Sequence, residues 1–419
     1  MSAAGAARTA RQSPSTPPAD PALTGMRTLM DVGEMAVRLA GDLKAGQALE
    51  AVRIYRVDYR PGRHVGVHYH VSIAGRRHDV LATAAAERDL AAEAVSPAAR
   101  ALAEAVRERC PVRQPVRFDG DARVLVEWVP LDLRLPVLAL EDAELRARLA
   151  RAGATGLDRG GERRLLGYVP GRRATLRLGG HVVKAYARGD EHEAAATGLR
   201  TLADTPGVAT APFVASLPDL RMTVQGALAG DKVTRQRAPD LFESVGRLMR
   251  ALHGRSGDVL QEAPAPVQLG YADDKAAVVA RVAPHLAARV GRLIERLEAT
   301  RPGAEALVTS HGDFDPSQLL EVGGGIALLD LDKACTAAPA VDAACFAAGM
   351  ARARDGDIVG PARRALAGLE AGYGDAFPDA DWYLATTLLR RSEALFRRLR
   401  PGWAEAMEAM VDGAAEVAP

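Results

Sequence analysis

Apolar and polar positions recur with two different periods along this chain, and the changes of period divide it. From Met26 to about Leu49, the positions Met30, Val32, Met35, Val37, Leu39 and Leu43 follow a roughly helical spacing, which predicts that an ordered domain opens with a helix. Val52–Val57 then alternates as a strand does. After the turn Arg60-Pro61-Gly62-Arg63 the alternation resumes from Val65 to Ile73, and after Ala74-Gly75-Arg76 it returns at Val80 and Leu81. This pattern predicts a small antiparallel sheet, followed by a helix over 84–106. A second group of alternating runs lies around Tyr168–Tyr186. Beyond it helical periods dominate, at 191–202, 241–253, 276–297 with a break at Pro284, and most of 339–411. Short apolar strands are expected near 220–226, at Ala306-Leu307-Val308 and at Ile326-Ala327-Leu328-Leu329.

The totals narrow the classes of function. A chain of 419 residues, 48% of them hydrophobic, is long enough for two or three domains with substantial cores. Its 54 basic and 53 acidic residues give a formal charge of +1, which argues against a nucleic-acid polyanion as principal partner. Cys110, Cys335 and Cys345 show no paired or metal-ligand spacing, as suits a reducing compartment. No apolar run approaches a membrane span and the N-terminus lacks a signal-peptide core, so a cytoplasmic protein is expected. Residues 1–25, rich in Ala, Pro and Ser around Ser13–Pro18, read as a disordered tail.

One motif occurs twice. Tyr59-Arg60-Pro61-Gly62-Arg63 and Tyr168-Val169-Pro170-Gly171-Arg172 share Tyr-x-Pro-Gly-Arg, and each leads into alternating strands. The copies diverge afterwards, because the second continues to a strand with Lys184 between apolar neighbours, whereas the matching strand of the first, Asp79–Thr83, has no lysine. Only the second copy can therefore clamp a nucleotide, and the first belongs to an accessory domain; the rival reading is that Pro-Gly-Arg is simply a common hairpin turn. Histidines 64, 68, 70 and 78 crowd the first hairpins, with His68 and His70 on one strand face. Surface histidines are the commoner explanation, and a metal site would need a third ligand.

The chemistry concentrates in His311-Gly312-Asp313-Phe314-Asp315-Pro316-Ser317-Gln318-Leu319-Leu320 and in Asp330-Leu331-Asp332, at the end of an apolar strand. A loop presenting an acid and then an amide, followed by a strand delivering a second carboxylate, is the layout phosphoryl transfer needs. The block resembles the catalytic and metal-binding motifs of the aminoglycoside phosphotransferase and choline kinase superfamily, relatives of the protein kinases, with some likeness to the maltokinase-like branch. Gln318 departs from the usual Asn but keeps the carbonyl oxygen. The resemblance implies Asp313 as catalytic base, with Gln318 and Asp330 holding Mg²⁺. It implies Lys184 on the phosphates, held by Glu193 by preference or Glu191, and Arg172 and Arg173 at a hairpin near the phosphates. Backbone near Gln225 and Ala227 would meet the nucleotide base. Asp342 would brace the catalytic loop, or serve as a helix N-terminal acid, or both. Asp315 and Asp332 remain open between substrate, metal and structural roles, and His253 at the Leu-His-Gly end of its helix reads as structural.

The expected fold is therefore α+β and two-lobed, like a protein kinase: an accessory α+β domain at 26–150, a small antiparallel lobe at 160–230 and a helical lobe at 231–415. The late helices, with Arg390, Arg391, Arg397, Arg398 and Arg400, would shape the acceptor pocket. The expected activity is ATP- or GTP-dependent phosphorylation of a hydroxyl on a sugar, aminosugar or aminoglycoside-like molecule, with no nucleic-acid or membrane partner. The alternative is a degenerate kinase-like protein that binds nucleotide or a partner without chemistry.

Overall fold

The computed structural model describes residues 19–157, 161–203, 205–304, 306–351 and 356–419. By contacts the chain forms two units. The first comprises residues through Leu145 with Tyr168–Ala174 and Ala394–Trp403, and the second comprises Arg146–Gly167, Thr175–Glu393 and Ala404–Pro419. The fold is α+β, as the pattern of periods implies.

The first unit opens with α1 (Met26–Met30) and α2 (Val32–Ala40), the latter capped by Asp31, whose side chain accepts from the Glu34 amide. Three long strands follow, β1 (Leu49–Arg60), β2 (His64–Ile73) and β3 (Arg76–Ala85). Then come α3 (Leu90–Ala94) and α4 (Pro97–Val106), with β4 (Val116–Asp119) and β5 (Val124–Trp128) completing an antiparallel sheet of order β1-β2-β3-β5-β4. The helix expected over 84–106 is shorter and broken, because β3 runs through Ala85 and Ser96-Pro97 starts α4 afresh. One sheet face carries Val57, Val65, Val67, Tyr69, Val80 and Ala82, all buried, and α2 packs on β1 over Met35 and Leu39. That burial is what fixes the strand register, since a one-residue slip would turn the apolar set outward.

The expected N-terminal tail divides at residue 19. Residues 1–18 lie outside the described residues, but Leu23 is 2% exposed and Asp20 is buried against Tyr59, so this end of the tail is part of the core. His68 and His70 are likewise not surface residues: they are buried on the second face of the sheet, where Tyr168 of the same unit packs edge-on against His68.

The second sheet contains β6 (Arg164–Val169), β7 (Arg173–Leu178), β8 (His181–Tyr186), β10 (Phe213–Leu217) and β11 (Met222–Gly226), in the order β10-β11-β8-β7-β6. Between β8 and β10 run α6 (Gly189–Leu202) and β9 (Ala209–Thr210); α5 (Asp142–Arg151) precedes the sheet. Read from its other edge, this order matches that of the first sheet: three strands in sequence, then the fifth, then the fourth. The Tyr-x-Pro-Gly-Arg turn joins the first two strands in both, so the repeat marks two sheets of one topology.

A mainly helical region follows, with α7 (Phe242–His253), α8 (Ala265–Val282), α9 (Ala287–Ala299), α10 (Pro339–Met350), α11 (Val359–Tyr373), α12 (Ala380–Arg398) and α13 (Trp403–Val417). The short strands β12 (Asp231–Lys232), β14 (Leu319–Val322) and β15 (Gly325–Leu328) form a sheet with β9, and β13 (Val308–Ser310) pairs with β16 (Cys335–Ala337). Glycines allow the closest packing: a Cβ on Gly246 or Gly372 would fall 2.2 Å from the Leu369 carbonyl or 1.9 Å from that of Glu243, so α7 and α11 touch backbone to backbone. Among the described residues no helix is long and apolar enough to cross a membrane.

Candidate active site

The loop after β13 starts with His311, which is fully buried. Its Nδ1 accepts from the Asp313 amide at 3.3 Å, so the ring proton sits on Nε2 and is donated to the Leu329 carbonyl at 2.8 Å. One imidazole thus fastens the Asp313 loop to the residue before Asp330. From the other side Asp342, buried near the start of α10, accepts from the His311 amide at 2.7 Å and the Gly312 amide at 3.0 Å. Burial pushes the Asp342 carboxyl up, but the His253 hydrogen bond and charge, with His311, outweigh it and hold the pKa below its ordinary value. His253 is anchored in turn between Asp342 and the Tyr373 hydroxyl.

Gly312 has φ +76°, and a Cβ there would lie 2.1 Å from the Lys333 carbonyl, so only glycine lets the loop approach the segment after Asp330 so closely. Asp330 itself is left-handed at φ 60°, ψ 52°, an uncommon conformation for a residue with a side chain. β15 brings it in: Leu319 pairs with Leu328, and the Leu329 amide donates to the Gln318 carbonyl at 2.8 Å. Gln318 and Asp330 are therefore carried by adjacent, hydrogen-bonded backbone.

Lys184 projects from β8 opposite Thr223 of β11 and is buried. Its Nζ donates to Asp330 Oδ1 at 2.6 Å and to Asp332 Oδ1 at 2.7 Å. Two carboxylates thus converge on one cation-sized point, an all-oxygen donor set of the kind Mg²⁺ takes, with the Gln318 amide carried alongside. Glu193, the preferred partner in the sequence reading, is exposed instead. The face of α6 that is buried carries His192, Ala195, Ala196 and Leu199, which turns Glu193 to solvent. The lysine is held from Asp330 and Asp332, a partnership that strand-then-helix order could not reveal.

Asp315 is committed elsewhere. Its Oδ1 accepts from Ser317 and its Oδ2 from Arg391 of α12 at 2.8 Å. Burial raises its pKa, but Arg391 and Ser317 more than reverse that. The pair fixes the loop to α12 and places the Arg391 charge in the field of Asp313 as well. At the expected base-binding strand Gln225 is buried in β11, while the Ala227 amide donates to the Gly180 carbonyl at 2.8 Å and is not open to a base. Arg172 and Arg173 sit at the β6–β7 turn and group with the first unit, whereas Lys184 belongs to the second.

No curated protein matches the chain. Many solved structures are similar to it, three of them as follows. A choline/ethanolamine kinase family protein from Mesorhizobium loti is 18% identical over 65% of this chain and 94% of its own, with a TM-score of 0.47. A choline kinase from Streptococcus pneumoniae is 12% identical over 65% and 99%, at 0.48. An aminoglycoside phosphotransferase from Streptomyces rimosus is 20% identical over 60% and 99%, at 0.40. The family model described as phosphotransferase enzyme family matches residues 214–383. That span, about two fifths of the chain, holds Asp313, Gln318, Asp330, Asp332 and Asp342, so the block at 311–332 lies within the part that is similar to this family.

Proposed function

We propose that this protein transfers the terminal phosphoryl group of ATP or GTP to a hydroxyl of a small polar acceptor, a sugar, aminosugar or aminoglycoside-like compound. The observation that carries the reading is the coupling of three elements in one unit: the Asp313 loop, the Asp330 strand end tied to it through His311, and Lys184 brought onto Asp330 and Asp332. Asp313 orients the acceptor hydroxyl and takes its proton. Gln318 and Asp330 are the residues that would hold Mg²⁺, which when bound offsets phosphate charge. Lys184 neutralises the phosphates, and Asp342 and Asp315 hold the loop still, since misplacement by about 1 Å can cost about a hundredfold in rate.

The test is Mg²⁺-dependent consumption of ATP and of GTP by the purified protein against a panel of sugars, aminosugars, aminoglycosides and nucleosides, with Asp313→Asn beside it. Acceptor-stimulated turnover that drops at least about a hundredfold in the variant, with nucleotide binding kept, is the expected result. Full turnover in Asp313→Asn removes that residue from the mechanism. A protein that binds no nucleotide is the non-catalytic alternative.

A further inference from the structure

The second face of the first sheet is polar, and its two histidines are buried. Register places His70 between Arg53 on one side and Asp79 on the other, and Arg56 opposite His68. His68 and His70 are only 3% and 7% exposed. A register shift between Ile54 and Arg56 turns Tyr55 onto this face too, where it stacks on His70 at 4.1 Å and lies under Arg398 at 5.1 Å. Two nitrogens here are buried with no hydrogen-bond partner, Arg56 Nε and His68 Nδ1, and they belong to directly paired residues of neighbouring strands. Buried polar atoms are rarely left unpaired, and these two neighbours share a face.

Arginines outnumber carboxylates among the charges acting on Arg56. Arg172, Arg397 and Arg398 act on Arg56, and Asp58 is the carboxylate among its main influences. Burial first, and then these arginines, bring Arg56 down to about 10. His68, His70 and Asp79 do converge within 4.8 Å, as a metal site would require. Arg53 decides against a cation: its guanidinium donates to His70 Nδ1 at 2.9 Å, which places the His70 proton on Nε2, toward Asp79 at 3.2 Å and not toward a metal. His68 Nε2 is likewise occupied by Asp79 at 2.8 Å.

We propose that this face binds a phosphate group, as inorganic phosphate or as the end of a small phosphate monoester, with Arg56 and His68 in direct hydrogen bonds and Arg172, Arg397 and Arg398 supplying the surrounding charge. A guanidinium Nε–H donates to a phosphate oxygen in the geometry arginine favours. Inorganic phosphate as HPO₄²⁻, or a monoester as its singly protonated monoanion, donates its one P–OH to His68 Nδ1, so one ligand completes both orphaned atoms.

The experiment is calorimetric titration of the full-length protein with inorganic phosphate and, separately, with a hexose 6-phosphate at low ionic strength. It is run on the wild type, Arg56→Gln, Arg398→Gln and Lys184→Met. Binding weakened about tenfold by Arg56→Gln, and severalfold by the exposed Arg398→Gln, is expected, with Lys184→Met binding as the wild type does. Should Arg56→Gln fail to fold, Arg398→Gln and the phosphate-induced shift of the His68 ring nitrogens by NMR give the same answer. Equal binding of both ligands supports a site for free phosphate, and tighter monoester binding supports a phosphorylated metabolite. No binding of either, or binding lost only in Lys184→Met, overturns the proposal.

Discussion

Asp20 and Asp132 make the same pair of hydrogen bonds at equivalent points of two copies of one arrangement. Asp20 Oδ2 accepts from the Tyr59 hydroxyl and the Gly62 amide, both at 2.7 Å. Asp132 Oδ2 accepts from the Tyr168 hydroxyl at 2.8 Å and the Gly171 amide at 2.7 Å. In each case the second oxygen binds amides just downstream of the aspartate, at Ala22 or at Arg134 and Leu135. With the shared strand order, this makes the first sheet a second copy of the arrangement of β6, β7, β8, β11 and β10, one in which β3 carries no lysine.

The pairing has a measurable consequence for stability. Asp132→Asn places an NH₂ group against N–H and O–H donors, leaving buried groups unsatisfied at about 1–3 kcal/mol each. Asp20→Asn should do the same to the first hairpin. Both variants are expected to lower the urea midpoint without changing the slope, by about 2 kcal/mol or more. An unchanged midpoint in either would mean that its aspartate is not what holds the turn.

Much of this was legible in the sequence, for reasons that differ by residue. The block at 311–332 was readable because local order fixes it: a tight turn at Gly312, an acid, an amide and a strand ending at Asp330 lie within reach of one another whatever the rest of the chain does. The twin hairpins were visible because Tyr-x-Pro-Gly-Arg carries its own turn chemistry. The carboxylates that hold those turns were not, since Asp20 and Asp132 lie 39 and 36 residues before their tyrosines. Glu193 misled because a helix glutamate after a lysine strand fixes order but not rotation, and one residue along the helix His192 took the inner face. β4 and β5 escaped because four- and five-residue strands leave too few positions to show a period.

The buried Asp342 gives the catalytic loop an acid limit. Its folded-state pKa lies below the ordinary 3.8. A depressed carboxylate adds stability that is fully present above the unfolded value and is lost as pH falls through the folded one. Wild-type stability is therefore expected to decline as pH drops below about 4, with Asp315 acting in the same direction. Asp342→Asn should be less stable at neutral pH, show a flatter acid limb, and lose about tenfold or more in kcat with little change in the KM for nucleotide. An acid limb as steep as the wild type's would assign the dependence to other carboxylates.

Gly312 permits a test of the close approach itself. Gly312→Ala must either hold alanine at φ +76° or move the loop off the Lys333 carbonyl. The left-handed conformation alone costs about 1–2 kcal/mol, and displacement of Asp313 should reduce turnover by about a hundredfold. Gly323→Ala is the control: φ is also positive at +56°, but nothing lies within 4 Å of the added Cβ. It should lose about 1 kcal/mol in thermal unfolding and retain full activity. Equal activity losses in the two variants would attribute the effect to backbone conformation and not to the approach.

Lys184 and its two aspartates should behave as a unit in stability but not in catalysis. Lys184→Met leaves Asp330 and Asp332 facing each other with their shared cation gone, and breaking such a partly buried set costs about 3–5 kcal/mol. Adding Asp332→Asn removes one of the repelling charges, so the double variant is expected to regain a substantial part of the loss in a double-mutant cycle. Turnover should stay abolished in both, because the lysine's contact with the phosphates is missing. A double variant no more stable than Lys184→Met would place the energy of this cluster outside the pair.

The proposed Mg²⁺ site can be tested at Gln318. Its backbone is locked, with the amide donating to the Asp315 carbonyl at 2.8 Å and the carbonyl accepting from Leu329, so side-chain substitutions leave the loop in place. Gln318→Ala removes one oxygen donor and should raise the Mg²⁺ concentration for half-maximal turnover by about tenfold, on the scale of one hydrogen-bond-sized contact to a cation. Gln318→Asn shortens the side chain by one methylene while keeping the same carbonyl. If the longer amide reaches a metal shared with Asp330, the Asn variant should need more Mg²⁺ than the wild type but less than Gln318→Ala, with nucleotide binding in the absence of metal the same in all three. An identical Mg²⁺ dependence across the series would remove Gln318 from the metal site and leave Asp330 and Asp332 to hold the ion alone.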